Sequence, residues 1–203
     1  MLKPAVFLMG SVPAVYTILQ IWLLQAGSPH QLGADPAKEL VLIQGEWAIR
    51  FLILTLLVTP VRKLTTWVQV SGLRRMLGLF TFFYASLHLL AYSLLLLELD
   101  FSALGGEVVK RPYITIGFLA WLMLIPLVGT STQLMMRRLG KSWRKLHSLV
   151  YGIALLAVFH VFWIAKSSYL NATIYGVMLL SLLIYRLFVR KNRLFQPGIK
   201  APA

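Results

Sequence analysis

Cysteine is absent from this chain of 203 residues. Its absence excludes disulfides, thiolate-bound iron–sulfur clusters, cysteine nucleophiles and covalently attached c-type haem. Any haem must therefore be held without a covalent link, and any redox chemistry must come from a bound cofactor.

Charged residues are also scarce. They make up 13% of the chain, whereas a typical soluble domain has about 25%. Hydrophobic residues make up 59%. This composition is typical of a membrane protein, and the length allows six spans of about 20 residues each with short loops. It leaves no room for a sizeable soluble domain.

Long apolar runs predict an all-α membrane protein, a bundle of six transmembrane helices that forms a single domain. The predicted spans are residues 5–26, 46–62, 74–97, 112–133, 147–166 and 169–189. The first is expected to be a retained helix, because its apolar run exceeds the roughly 7–15 residues of a signal peptide. A very short loop at 167–171 predicts a tight hairpin between the last two spans. No internal repeat is visible.

The basic residues are distributed unevenly among the loops. With the N-terminus inside, fifteen of the twenty lie in cytoplasmic segments and four on the opposite side, with Arg50 inside the second span. All six acidic residues fall on the opposite side. Such a bias predicts that both termini are cytoplasmic. It also accounts for the net charge of +14 without nucleic acid, for which no binding motif is present.

Two histidines lie inside the apolar spans, where an ionisable side chain is costly and indicates function. His88 is fourteen residues past Arg74, and His160 is thirteen past His147. Both spans run in the same direction, so the two imidazoles should lie at nearly the same depth. A matched pair on two helices is what bis-histidine ligation of a b-type haem requires. The alternative is a buried histidine bonded to a helix carbonyl.

His147 has no histidine at its level on the third span, which offers Arg74 and Arg75 there. Thirteen residues also turn a helix through about 220°, so His147 and His160 do not share a face. Its open roles are a second haem ligand, a flavin or quinone contact, or none. Arg74 and Arg75 are further candidates for cofactor binding. Arg50 either snorkels outward or pairs with a haem propionate.

From about residue 33 to residue 163 the chain resembles the MsrQ family, haem-binding membrane subunits within the ferric-reductase-like transmembrane group. The resemblance rests on ten short segments in order: GADP at 33–36, GEWA at 45–48, TP at 59–60, RRMLG at 74–78, YASLH at 84–88, KRPYIT at 110–115, TST at 130–132, RLG at 138–140, WRKLH at 143–147 and HVFW at 160–163. One departure is the absence of the histidine that many members carry just before the Gly45 position.

This resemblance implies one or two b-type haems, flavin mononucleotide (FMN), and a place in the bacterial inner membrane. It also implies that electrons from the quinone pool or a cytosolic flavin reductase pass to MsrP, a periplasmic molybdopterin enzyme that reduces methionine sulfoxide in oxidised proteins. The chemical reduction then belongs to the partner, so this chain has no catalytic residue of its own. His88, His147 and His160 match the family's histidines.

Two other functions are compatible with the same sequence. A ferric or oxygen reductase would use similar haem helices, and such enzymes usually add a cytosolic flavin domain, for which the segment after Arg190 is too short. A small transporter or an assembly factor without redox function is the other alternative. Transporters often have inverted repeats or broken paired helices, and neither is evident.

Overall fold

A computed structural model of the chain describes residues 2–65, 67–98, 100–165 and 169–194. Within these ranges it is helical and contains no strand. The elements in order are α1 (Leu2–Gln25), α2 (Pro36–Thr65), a 3₁₀ helix (Val68–Leu73), α3 (Arg74–Leu95), α4 (Phe101–Lys110), α5 (Pro112–Gly129), α6 (Gln133–Leu139), α7 (Lys141–His147), α8 (Leu149–Ile164) and α9 (Tyr169–Leu194).

Six of the helical segments are long and apolar enough to cross a membrane, which confirms the predicted fold class of an all-α multi-pass membrane protein. Their boundaries differ from those predicted. The helix α2 begins ten residues earlier than the predicted span, at Pro36. Its first turn is capped because the backbone N–H of Lys38 donates to the Asp35 carboxylate (3.1 Å), and a side-chain acceptor there stabilises a helix start. Hydropathy alone did not include this polar turn.

The fourth and fifth predicted spans are each interrupted. The helix α5 ends at Gly129, where the hydroxyls of Thr130 and Ser131 donate to the carbonyls of Pro126 and Leu127 (2.6 Å each). A break at Ser148 separates α7 from α8. The short helices α4 and α6 were not predicted. Residues 166–168, which include the first two positions of the predicted loop at 167–171, lie outside the described residues, and the last three positions belong to α9.

The helix α2 is the centre of the bundle. Half of its membrane-spanning window is buried, against 17–28% for the other five spans. One face packs into a core with α5, α8 and α9, and the other packs into a core with the 3₁₀ helix and α3. The members are Ile49, Leu52, Ile53, Leu56, Ala120, Leu124, Leu127, Val150, Ile153, Ala154, Val158 and Leu179 for the first core, and Phe51, Val58, Leu73, Leu77, Phe80 and Tyr84 for the second.

Tyr84 connects α3 to α1. Its side chain is completely buried, and its hydroxyl donates to the Gly10 carbonyl (2.7 Å) and accepts from the Ala14 N–H (3.1 Å). These two backbone groups are four residues apart, so the hydroxyl lies between the partners of an ordinary helical hydrogen bond. Such an insertion distorts a helix locally, next to Pro13.

Two helix pairs form the framework around the intramembrane histidines. The helix α3 packs along α2, and α8 packs along α5. The first pair carries His88 on α3, and the second carries His160 on α8. The two pairs meet through contacts of α3 with α5, and α9 contacts both α2 and α8. The two histidines are therefore brought together by packing between the pairs, since they are far apart in the chain.

Candidate functional site

His88 and His160 face each other inside the bundle. Their ring centres are 6.2 Å apart and their ring planes are nearly perpendicular, at 89°. We call them the histidine pair. The matched depth inferred from the sequence thus corresponds to direct proximity.

Each ring of the histidine pair is fixed by a backbone carbonyl on the neighbouring helix. Nδ1 of His88 lies 2.8 Å from the carbonyl oxygen of Val41 on α2, and Nδ1 of His160 lies 2.7 Å from that of Tyr113 on α5. A carbonyl oxygen only accepts, so each Nδ1 carries the proton and donates it. The remaining nitrogen, Nε2, is then unprotonated and is the one that can bind a metal.

A glycine makes room for each of these rings. A Cβ added at Gly45 would lie 2.9 Å from Nδ1 of His88, and one added at Gly117 would lie 2.5 Å from Cε1 of His160. Contacts this short do not occur for real side chains. Each imidazole therefore packs directly against the backbone of the neighbouring helix, and any larger residue at either glycine would displace it.

The two halves of the site have the same spacing along the chain. Each histidine follows its carbonyl acceptor by 47 residues, and each glycine follows that acceptor by one helical turn of four residues. No repeat was visible in the sequence, because the match involves three positions within otherwise unlike segments. The structure shows that α2 with α3 and α5 with α8 hold their histidines in the same way.

The 6.2 Å between the ring centres matches the separation expected for one metal ion bound between two imidazoles. A metal–imidazole bond is about 2 Å long and each ring centre lies about 1 Å beyond its nitrogen, so ligation would place the centres about 6 Å apart. Among the described residues, no group of three or more histidine, aspartate or glutamate side chains could hold a metal. A bare ion such as zinc normally takes three or four protein ligands. Two imidazoles suit haem instead, whose iron takes its axial ligands from the protein.

His147 is held differently, at the end of α7. Its Nε2 lies 3.1 Å from the hydroxyl of Thr130, and its ring stacks on Trp143 with centres 4.0 Å apart. The Thr130 hydroxyl donates its single proton to the Pro126 carbonyl (2.6 Å), so it accepts from Nε2–H of His147. This tautomer is the opposite of that in the histidine pair. His147 would have to lose the Nε2 proton and the Thr130 bond to bind a metal through that nitrogen.

The predicted arginines are not part of the histidine pair. Arg50 forms an ion pair with Glu46 (2.5 Å) and donates to the hydroxyl of Tyr175 (2.9 Å), so its described partners are protein groups. Its pairing with a haem propionate stays a prediction. Arg74 lines a cavity at the start of α3 and interacts electrostatically with His147, whereas Arg75 is exposed. Their cofactor-binding roles also stay predictions.

Comparison with known proteins gives two concordant results. Residues 44–158 match the family model for the ferric reductase like transmembrane component. A protein of Xanthomonas euvesicatoria is 48% identical over 169 residues, which cover 83% of this chain and 78% of that protein. One of Xanthomonas campestris is 46% identical over 93% of this chain and 86% of its own length. One of Pectobacterium carotovorum is 41% identical over 91% and 90%. All three are described as the haem-binding subunit MsrQ of a protein-methionine-sulfoxide reductase.

The chain belongs to the MsrQ family. The sequence pattern predicts that His88 and His160 act together, but it predicts no role for the groups that fix their rings. In the sequence, Gly45 and Tyr113 stand out only as parts of the segments that carry the family resemblance. The signal that could have revealed them is the repeated spacing from carbonyl to glycine to histidine, which is meaningful only once the paired helices are known.

Proposed function

We propose that this chain is a b-type haem electron-transfer subunit of the bacterial inner membrane. In this proposal it takes electrons from the quinone pool or a cytosolic flavin reductase and passes them to a periplasmic molybdopterin methionine sulfoxide reductase of the MsrP type, which repairs oxidised proteins. The observation that carries the proposal is the histidine pair, whose ring centres lie 6.2 Å apart while both Nδ1 atoms are fixed by carbonyls and both Nε2 atoms are left unprotonated.

The residues of the site have distinct tasks in this proposal. His88 and His160 would hold the haem iron, and haem would supply a reversible one-electron carrier there. The Val41 and Tyr113 carbonyls set the tautomer and orientation of the rings, as outer-shell partners do at metal sites. The proposal leaves three roles for His147: it binds a second haem, contacts a flavin or quinone, or only stabilises the end of α7. FMN belongs to the proposal as a second cofactor.

The direction of electron flow rests on the charge distribution. The basic end of the bundle, which carries Arg62, Lys63, Arg74, Arg144 and Lys145, is assigned to the cytoplasm by the positive-inside rule. Electrons then enter at that end and leave at the other, where all six acidic residues occur. Because every acidic residue lies at that end, we expect docking of the partner to have some electrostatic character, so electron transfer to the partner should slow as salt rises.

The decisive experiment is the absorption spectrum of the detergent-purified chain. We expect a Soret band and a sharp α band on reduction, as given by low-spin b haem, with at least one haem per chain by pyridine haemochrome assay. FMN is measured in the same sample by its fluorescence after unfolding. A fully folded, colourless protein that takes up no added haem would contradict the proposal.

Electron paramagnetic resonance tests the ligand geometry separately from haem content. Ring planes at 89° should give the strongly anisotropic low-spin ferric signal of perpendicular imidazoles, with its largest g value well above that of parallel planes. A purely rhombic signal of the parallel type would show that the rings rotate when the iron binds, and would contradict a fixed orientation of the two imidazoles.

Donor and acceptor can be separated in membrane vesicles that contain the chain. A quinol and a cytosolic flavin reductase are supplied in turn, and haem reduction is followed by absorption, with and without an MsrP-type partner and oxidised methionine. Reoxidation that depends on the partner supports the proposal. If the chain is instead a ferric or oxygen reductase, ferric chelate or oxygen should reoxidise the haem, and the rate should be the same without the partner.

A further inference from the structure

Arg50 and Arg186 lie on membrane-spanning helices and are compensated differently. Arg50 is paired with the Glu46 carboxylate. Arg186 on α9 donates to the Tyr151 hydroxyl (2.8 Å) and to the Thr59 hydroxyl. These partners are neutral, and the Tyr151 ring adds only a cation–π contact at 5.5 Å. A charge near the hydrocarbon without an opposite charge is costly.

A cavity of about 360 Å³ lies beside this arginine. Thr59, which accepts from Arg186, is one of its lining residues, together with Val58, Arg62, Lys63, Ser71 and Arg74. No carboxylate occurs in this described lining. Cationic side chains from α2 and the start of α3 therefore converge on one space, and Thr59 in its lining accepts a hydrogen bond from the Arg186 guanidinium.

Two buried polar atoms at this place have no hydrogen-bond partner among the described residues. They are the hydroxyl oxygen of Ser71, which lines the cavity, and Nε of Arg186. Buried polar groups are nearly always satisfied in native structures, and an exception often marks a missing ion or ligand. Lys3 adds further positive charge nearby, since its Cε lies 3.4 Å from the Cβ position of Gly72, next to Ser71.

We propose that this cavity at the basic end binds a phosphate group. Phosphate oxygens are acceptors only and match the forked donors of arginine and the hydroxyl of serine. One bound anion would neutralise part of the charge cluster and satisfy the Ser71 hydroxyl. The source is a phospholipid headgroup or a soluble phosphate ester such as FMN. The proposal does not depend on electron transfer or on haem at the histidine pair.

The test uses the full haem-loaded chain in an uncharged sugar-headgroup detergent and phosphate-free buffer. Inorganic phosphate is titrated against chloride of equal ionic strength while the thermal unfolding midpoint is recorded. We expect a saturable rise of the midpoint with phosphate. Arg186→Gln should weaken the apparent phosphate affinity by at least about tenfold, because hydrogen bonds to a charged donor are the strong ones.

Two further variants keep the test informative if Arg186→Gln folds poorly. Arg62→Gln, at an exposed lining residue, should also weaken phosphate binding, and Ser71→Ala should weaken it by roughly a few-fold through loss of one neutral hydrogen bond. The matched control is Arg137→Gln, an exposed basic residue on α6 outside the cavity, which should bind phosphate like the unmodified chain.

Competition identifies the source of the phosphate. Displacement of inorganic phosphate by short-chain phosphatidylglycerol assigns the site to a lipid headgroup, and displacement by FMN assigns it to a soluble ester. Each of these results supports the proposal. The proposal is overturned if phosphate raises the unfolding midpoint no more than chloride does, or if all three cavity variants bind phosphate normally. It is also overturned if neither competitor displaces phosphate, since the site then holds an adventitious ion only. Binding seen only after haem removal also overturns it, because a haem propionate would then occupy the cavity.

Discussion

His160 and His147 stand on consecutive helices of the same predicted span, yet their ring nitrogens are used in opposite ways. At His160 a backbone carbonyl accepts from Nδ1 and leaves Nε2 unprotonated. At His147 a threonine hydroxyl accepts from Nε2, and Trp143 covers one face of the ring. The first arrangement is ready to bind a metal. The second needs a proton lost and a hydrogen bond broken before Nε2 can do so.

The comparison teaches that a histidine within a span is, by its presence alone, weak evidence for metal binding. The group that is hydrogen-bonded to one of its ring nitrogens is stronger evidence, because it decides whether the other nitrogen is free to bind. Outer-shell partners determine which nitrogen is available and how the ring is oriented. By this criterion the histidine pair is preorganised, while His147 is not. The difference can be tested at the ligands, at the glycines beside them and at Thr130.

The largest effect is expected from removal of the pair itself. His160→Ala or His88→Ala should abolish haem bound between α3 and α8, because one of the two axial ligands is lost. His147→Ala should remove at most about half of the haem if it binds a second one, and none otherwise. Haem per chain is measured by pyridine haemochrome, with His30→Ala in the loop before α2 as the control. Equal haem content in all four variants would rule out the pair as ligands.

An intermediate effect is expected at the glycines. Gly117→Ala would place a Cβ 2.5 Å from Cε1 of His160, so the ring must move and lose its bond to Tyr113. Loss of an outer-shell partner typically weakens metal affinity by about 10–100-fold, and we expect haem affinity to fall at least about tenfold with a changed α band.

The matched control for this substitution is Gly129→Ala on the same helix. No atom lies within 4 Å of the Cβ that it would add, so haem affinity and spectrum should be unchanged. Gly45→Ala should behave like Gly117→Ala, since the added Cβ meets His88 at 2.9 Å. If either variant kept a normal haem spectrum, the close packing of ring on backbone would not be needed for binding.

The smallest effect is expected at Thr130. Thr130→Val removes the acceptor for Nε2–H of His147 and the donor to the Pro126 carbonyl. The free energy of unfolding should fall by about 2 kcal/mol, since one hydrogen bond usually contributes about 1 kcal/mol. The spectrum of haem at the histidine pair should not change. Thermal unfolding and reduced absorption spectra measure the two effects. A shifted α band from the pair in this variant would show that His147 and the histidine pair are coupled rather than independent.

The sequence predicted the class of fold and the similar depth of His88 and His160, and the reasons are physical. Apolar runs long enough to cross a bilayer must be helical, and two histidines at equal distances from basic helix ends must lie at similar depths. The stacking of His147 on Trp143 was also accessible in principle, since residues four apart share a helix face.

Other features could not be predicted from the sequence. The contact of Gly45 with His88 depends on the rotation of α2 about its axis, which a nearly uniform apolar helix does not reveal. The pairing of Arg186 with hydroxyls on α2 and α8 depends on which helices are neighbours. The polar first turn of α2 and the break at Ser148 depend on capping and local hydrogen bonds that hydropathy does not record.

The acceptors at the histidine pair are main-chain carbonyls, and this has a consequence for mutational tolerance. Every amino acid carries a carbonyl, so no substitution at Val41 or Tyr113 can delete the group that orients either ring. A saturation library should therefore accept many residues at these two positions and few at Gly45 and Gly117. The determinants of the site would then be found at positions without any side chain.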